Sequence, residues 1–210
     1  MNYFDEDSAT EDELWNWCLL EYGSSNVVVR KLIENYYAKI QNIIKTYFKR
    51  DMRVLEVGCG AAESSDKILK MLDDCHFEIS DYDIRYFNKV REHKKHLKIT
   101  LETVYALKRS DSSFDAVFLL EVLEHLENYE LALQELFRVS RNYVIIAVPN
   151  EPLWRFLNLL RLKYVKDFGN TPGHINHWSA TSLVKLISKY GEVIKVYQPV
   201  PWIILLAKKK

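Results

Sequence analysis

Residues Arg53 to Leu69 read RVLEVGCGAAESSDKIL. A short run of Val and Leu enters a loop with glycines at 58 and 60, and a helical pattern follows. Strand, glycine loop and helix in that order open a βαβ unit. The glycines let the backbone turn sharply and come close to a ligand. Downstream, HFEIS, LKITLE, FDAVFLL and YVIIAV are further apolar runs rich in Val, Ile and Phe, separated by helix-like stretches near 62–72, 84–94 and 128–139. Such alternation predicts an α/β fold, a doubly wound parallel sheet with helices on both faces. After a helix near 180–190, EVIKVYQ and PWIILLA are joined only by Pro199-Val200, so they are expected to pair as an antiparallel hairpin.

The chain of 210 residues fits one domain with an appendage, and 48% apolar residues can fill a core. Lys and Arg balance Asp and Glu at 29 each, which gives no global field for nucleic acid. Cys18, Cys59 and Cys75 show no CxxC spacing, as expected of a reduced cytoplasmic protein. The acidic start MNYFDEDSATEDE is no signal peptide, and no apolar run nears the ~20 residues of a membrane span. Residues 1–50 read as an N-terminal helical cap, and 51–210 as the ligand-binding domain. Thr10-Glu11-Asp12-Glu13 resembles a capping box; Ser24-Ser25-Asn26 can cap a longer helix, where Leu32, Tyr36, Ile40, Ile43 and Tyr47 recur at helical spacing.

The glycine loop limits the ligand. A dinucleotide fingerprint needs a glycine at 63, where this chain has Glu63 at the start of a helix. A pyrophosphate rests on the N–H groups of such a helix, and a carboxylate there repels it. The GK[ST] of a P-loop is also missing. The ligand therefore carries no phosphate at this point, and Glu56 favours a cation. S-adenosylmethionine fits: Glu56 can meet its ammonium, the Gly58–Gly60 backbone can pass its tail, and an acid after the second strand can accept the ribose hydroxyls. Asp83 is the preferred acid, because DIRYFNKV then starts a helix, with Asp81 as competitor.

These residues resemble the class I S-adenosylmethionine-dependent methyltransferases, in particular the small-molecule group that includes the ubiquinone-biosynthesis O-methyltransferases. VLEVGCGAA is similar to the family's first motif, with Ala62 in place of its last glycine. SSFDAVFLLEVLEHL is similar to the later strand-loop-helix motif, and PNEP and GHINHWS extend the likeness over roughly 50–208. The resemblance implies a seven-stranded Rossmann-like sheet of order 3-2-1-4-5-7-6 with the last strand antiparallel. It implies a cofactor set of Glu56, Gly58, Cys59, Gly60, Asp83, Thr103, Val104 and Glu121, Cys59 being the small residue between the glycines. Thr103-Val104 stands where the family often has an Asp for the adenine amino group, so Thr103, or else Glu102, would take that bond. Residues 150–178 would form a lid or substrate-side insertion.

On the acceptor side, His174 is the candidate base and His177 the second candidate, in a loop expected over the cleft. His125 reads as orienting a helix start. His93 and His96 have metal-compatible spacing but no third ligand, and no metal site is expected. Residues 152–168 place Leu153, Phe156, Leu157, Leu160 and Tyr164 on one helical face, away from Arg155, Arg161, Lys163 and Lys166. That pattern suits a lid over an apolar substrate, or a helix touching a membrane surface. Trp15, Trp17, Tyr22, Tyr36 and Tyr37 can line an acceptor pocket or simply pack. The expected function is methyl transfer to a small, apolar or lipid-like acceptor. Alternatives are a non-catalytic cofactor-binding module, a methyltransferase acting on RNA or protein, and an NAD oxidoreductase, against which Glu63 argues. The acceptor's identity and the oligomeric state stay open.

Overall fold

The computed structural model of the chain describes residues 8–22, 26–160, 167–171 and 173–210. Its strands are β1 (Arg53–Val57), β2 (His76–Asp81), β3 (Ile99–Leu101), β4 (Phe114–Leu120), β5 (Ser140–Pro149), β6 (Gly191–Tyr197) and β7 (Trp202–Lys209). They form one seven-stranded sheet in the order β3-β2-β1-β4-β5-β7-β6. β1 to β5 pair in parallel, and β7 is antiparallel to both β5 and β6, as the resemblance and the hairpin link had implied. YVIIAV proves to be only the apolar middle of β5, whose stretch from Tyr143 to Pro149 pairs with β7.

The helices are α1 (Glu11–Tyr22), α2 (Val27–Tyr47), α3 (Glu63–Leu69), α4 (Ile84–His93), α5 (Tyr129–Val139), α6 (Glu151–Leu160) and α7 (Ala180–Ile187). Strand side chains alternate between two apolar layers because successive residues point to opposite faces. Val117, Leu119, Val144, Ile146, Ile203 and Leu205 pack with α5 and α7. Ala116, Phe118, Ile145, Ala147, Ile204 and Leu206 pack with α2 and with Ile68 of α3. Each fully buried aliphatic side chain contributes roughly 1.5–3 kcal/mol. Tyr36, Ile40 and Ile43 of α2 are all buried, so α2 is one of the helices covering the sheet, although it precedes residue 50.

Both predicted caps form. Thr10 and Glu13 exchange the reciprocal bonds of a capping box at α1. Asn26 Oδ1 accepts from Val28 N at 2.9 Å and caps α2; Ser24 and Ser25 lie outside the described residues. The strand order reverses between β1 and β4, and the crevice at their carboxyl ends is where such sheets bind ligands.

Candidate active site

β1 ends at Val57, and the chain turns through Gly58 (φ 74°), Gly60 (φ 51°) and Ala62 (φ 59°) into α3. A Cβ on Gly58 would lie 2.6 Å from Cγ2 of Val122, so only glycine fits there. A Cβ on Gly60 would meet nothing nearer than Tyr86 Cζ at 4.0 Å, which leaves room for a ligand beside the backbone. Ala62 holds the left-handed conformation where the family motif has glycine.

Glu56 is almost fully buried, its Oε1 accepting from Ser64 Oγ at 2.6 Å and its Oε2 from Ser65 Oγ at 2.5 Å. Burial pushes its carboxyl up to about 7, against the pull of the two hydroxyls. The sequence reading missed these serines; their signal was their place in the first turn of the helix after the glycine loop. Asp81 is also buried, and burial raises its carboxyl. Its Oδ2 accepts from Gly60 N at 2.7 Å and its Oδ1 from Asp83 N at 2.9 Å.

Asp83 has another occupation. It caps α4 by accepting from Arg85 N at 2.8 Å, and its carboxylate takes the Arg85 guanidinium, with Nη2 at 2.6 Å. Burial works against ionisation, but the bonds and charge of Arg85 hold the carboxyl below its ordinary value. The feature that favoured Asp83, its place at a helix start, is what engages it. Glu102 is spent as well, accepting from Lys108 N and Arg109 Nε at 3.0 Å each. Thr103 lies exposed beside buried Val104.

A carboxylate held by neutral hydroxyls and a second one beside the glycine turn suit a ligand with an ammonium and hydroxyl groups. A diphosphate would also meet Glu63, at the first position of α3, which Lys94 Nζ binds at 2.7 Å. Helix α1 covers this end. Trp15 and Cys18 pack with Cys59, Ala61 and Ala62, and Cys18 Sγ lies 3.1 Å from Tyr86 OH. Arg85 Nη1 donates to Ala9 O at 2.8 Å, Asn88 to Glu11 at 3.0 Å, and Lys89 pairs with Asp12. Burial pushes the Cys59 thiol well up, which suits a space-filling role. Trp15 therefore packs beside the glycine turn. The side chains of Trp17 and Tyr22 lie outside the described residues.

The other half of the cleft begins where β4 ends. Glu121 takes φ 57° and its Oε2 accepts from Trp202 Nε1 at 2.9 Å, while its buried Oε1 has no partner among the described residues. Burial pushes its carboxyl up to about 8, with the Trp202 N–H opposing and Glu151 adding to the rise. A 3-10 turn, Leu123–His125, follows. Glu124 is buried, its Oε2 has no partner among the described residues, and burial and the charge of Glu121 raise its carboxyl.

The loop carrying GHINHWS folds onto this turn. Ile175 N and Asn176 N each donate to Glu124 O at 3.0 Å, and Asn176 Nδ2 donates to Leu126 O at 2.7 Å. His125 Nδ1 lies 3.0 Å from Gly173 O, and His174 Nδ1 lies 2.5 Å from Glu151 Oε1. The two imidazoles meet edge to face with centroids 5.0 Å apart. His177 Nε2 bonds Asn170 Oδ1 at 2.8 Å, and Asn170 Nδ2 donates to His174 O at 3.3 Å. His125 and Glu124 thus join His174, and Glu151, from PNEP, completes a cluster that no single motif announces.

Beside the cluster stands an aromatic wall. Tyr36 lies 5.0 Å from Trp202, Trp202 lies 5.9 Å from Trp154, and Trp154 lies 6.4 Å from His174, centroid to centroid. α6 presents Trp154 and buried Asn158 inward: Asn158 Nδ2 donates to Gly169 O at 2.9 Å, and Trp154 Nε1 to Thr171 Oγ1 at 2.8 Å. Of the expected apolar stripe, Phe156 and Leu160 are exposed and Leu153 and Leu157 are half-buried; Leu159 beside it is exposed too. Tyr164 and the basic residues at 161, 163 and 166 lie outside the described residues.

A family model described as a methyltransferase domain matches residues 29–194. A sterol 24-C-methyltransferase of Aspergillus fumigatus is 33% identical over 100 residues, 44% of this chain and 26% of that protein, so the match spans about a quarter of the relative's length. A SAM-dependent methyltransferase from Aquifex aeolicus superposes with a TM-score of 0.63 at 19% identity, over 81% of this chain and 89% of that one. The magnesium protoporphyrin IX methyltransferase of Synechocystis, solved with bound SAH, gives a TM-score of 0.70 at 13% identity, over 98% of this chain and 97% of that one. With the phosphate-excluding glycine turn, the buried Glu56 and the sheet order, these matches make the chain a member of the class I S-adenosylmethionine-dependent methyltransferase family.

Proposed function

We propose that the protein methylates a small, apolar or lipid-like acceptor that lies against the Tyr36–Trp202–Trp154 wall. S-adenosylmethionine supplies a methyl group on a sulfonium whose leaving group is a neutral thioether. The chain's own task is to place the nucleophile ~3 Å from that carbon and to keep water away. In this reading Glu56 pairs with the ammonium of the cofactor, Asp81 accepts its ribose hydroxyls in place of Asp83, and Thr103 takes the adenine edge. His174, held through Nδ1 by Glu151, keeps Nε2 for the acceptor side. His177 is the weaker candidate, because its Nε2 is engaged by Asn170 Oδ1.

The aromatic wall carries the reading: half-buried Trp154 and Trp202, backed by buried Tyr36, offer flat apolar surface next to the His174 cluster, where charged nucleic acid finds little to bind. The outward Phe156, Leu159 and Leu160 add apolar surface for the arrival of such an acceptor, from solution or from a membrane surface. No helix among the described residues is long and apolar enough to cross a membrane. Sterol and porphyrin methyltransferases among the relatives are compatible with this acceptor class. The test is methyl transfer from labelled S-adenosylmethionine to a panel of hydroxylated aromatics, sterols and isoprenoid phenols, beside total RNA and a protein extract. Transfer to the apolar small molecules is expected. Transfer confined to RNA or protein, or cofactor binding with no turnover on any acceptor, would refute the proposal.

A further inference from the structure

We propose that the protein carries a phosphate site in a cavity beside Glu151, apart from the cofactor loop. The cavity measures about 240 Å3 and is lined by Glu151, Arg155, His177, Trp178, Ser179 and Ser182. Three segments build it: the start of α6, the end of the GHINHWS loop and the start of α7. An isolated bridge between Asn150 and Trp178, and a bond from Glu151 N to Trp178 O at 3.2 Å, hold the first two together.

The donors come from separate sources. Trp178 is 8% exposed, and its Nε1–H, which can only donate, has no partner among the described residues. A buried donor left unpaired is costly, so it points to a missing acceptor. Arg155 spends Nε on Phe168 O at 3.2 Å, which fixes the guanidinium and leaves its two Nη groups without a partner among the described residues. The capping box of Ser179 and Ser182 closes the first turn of α7, yet the N–H groups of Ala180 and Thr181 stay unbonded among the described residues. Free N–H groups at a helix start, together with the helix dipole, attract an anion. Asn170 turns its Nδ2 to His174 O at 3.3 Å, so its Oδ1 accepts from His177 Nε2–H at 2.8 Å. Nδ1 of His177 has no partner among the described residues, and an arriving anion favours the protonated ring that donates there.

One oxygen in the lining selects among anions. Glu151 is 1% exposed; its Oε1 is engaged by His174 Nδ1, and its Oε2 is buried with no partner among the described residues. A carboxylate oxygen repels a fully ionised anion but accepts from one that keeps an O–H. Phosphate keeps a proton near neutral pH, and sulfate does not. Several donors with this one acceptor therefore fit a phosphate that retains a proton, free or borne by a larger molecule. The sequence reading placed Arg155 on the basic side of a helix and His177 beside the acceptor; the cavity joins them. Binding here does not depend on the proposed methyl transfer.

The test is calorimetry of the full chain at neutral pH with inorganic phosphate and, at equal ionic strength, with sodium sulfate. SAH calorimetry on the same samples reports the cofactor loop separately. One phosphate per chain is expected, with sulfate at least roughly tenfold weaker. Arg155→Gln and Trp178→Phe are each expected to weaken phosphate by roughly tenfold or more while SAH binds as before. Glu151→Gln, whose amide can donate, is expected to narrow the gap between phosphate and sulfate. Phenyl phosphate separates the two sources. Tighter binding than inorganic phosphate assigns the site to a phosphate borne by the methyl acceptor, and weaker binding assigns it to the free ion. Wild-type protein that binds SAH but gives no saturable phosphate heat overturns the proposal, as does sulfate binding equal to phosphate. Should Trp178→Phe not fold, an Arg155→Gln variant that binds phosphate like wild type overturns it as well. Methyl transfer that fails on every acceptor would count against the proposed function and leave the phosphate site standing.

Discussion

Glu56 shows how one residue links cofactor affinity to pH. Its carboxyl is pushed up to about 7 by burial, from an ordinary 4.5, so the ligand-free fold favours the protonated form. The stability this group contributes is present below pH 4.5 and is lost as pH rises through about 7. The cofactor's ammonium needs the ionised form, so affinity runs the other way. We predict that S-adenosylmethionine binding weakens as pH falls below about 7, approaching about tenfold per unit, with proton release on binding. Calorimetry in buffers of different ionisation enthalpy reads both, and Glu56→Gln is expected to bind weakly with no such pH dependence.

The two aspartates make a second residue-scale test. Asp81→Asn is expected to weaken SAH binding, because it disturbs the bond to Gly60 N and the proposed ribose contact. Asp83→Asn is expected to act on folding instead, lowering stability by roughly 0.5–2 kcal/mol through the α4 cap and the Arg85 pair. The reverse ranking would restore Asp83 to the ribose. The sequence showed acids at 81 and 83, but that the backbone turn at Gly60 captures Asp81 is seen only in the structure.

At the scale of elements, the β1–α3 turn works because nothing projects from Gly58. Alanine there would have to hold φ 74° and place its methyl 2.6 Å from Val122. The backbone term costs roughly 1–2 kcal/mol, and the overlap adds to it. Gly58→Ala is therefore expected to lower the melting temperature and SAH affinity together. Adding Val122→Ala should recover the overlap but not the backbone strain, a partial rescue readable by thermal melts. This turn was legible because glycine spacing is a local signal. α6 was legible as a helix but not in its orientation. Its inward face is set by Trp154 and Asn158, which reach Thr171 and Gly169, and hydrogen-bond partners of that kind leave no apolar periodicity to read.

For the whole molecule, the cleft lies between two covers. In the proposed reading α1 closes the cofactor end through Trp15 and Cys18, and α6 stands at the acceptor end with Phe156, Leu159 and Leu160 outward. Because these exposed side chains touch neither the glycine turn nor the sheet core, Phe156→Ser with Leu160→Ser should leave stability and SAH affinity within about twofold of wild type. Transfer to apolar acceptors, or their binding, is expected to fall. Unchanged handling of every apolar acceptor would remove α6 from the acceptor path.

The sequence by itself determined the doubly wound sheet, its antiparallel close and a phosphate-free cofactor loop. Those features follow from short-range facts: side chains alternate along a strand, glycines permit left-handed turns, and a carboxylate at a helix start repels a diphosphate. Only the tertiary structure assembled the cluster proposed for the acceptor end. Glu151 and His174 stand 23 residues apart and His125 and Gly173 stand 48 apart, yet they bond directly. Long-range packing brings them together because β4 and β5 lie side by side and deliver their following loops to the same edge. No local pattern encodes that meeting; the register of the sheet does.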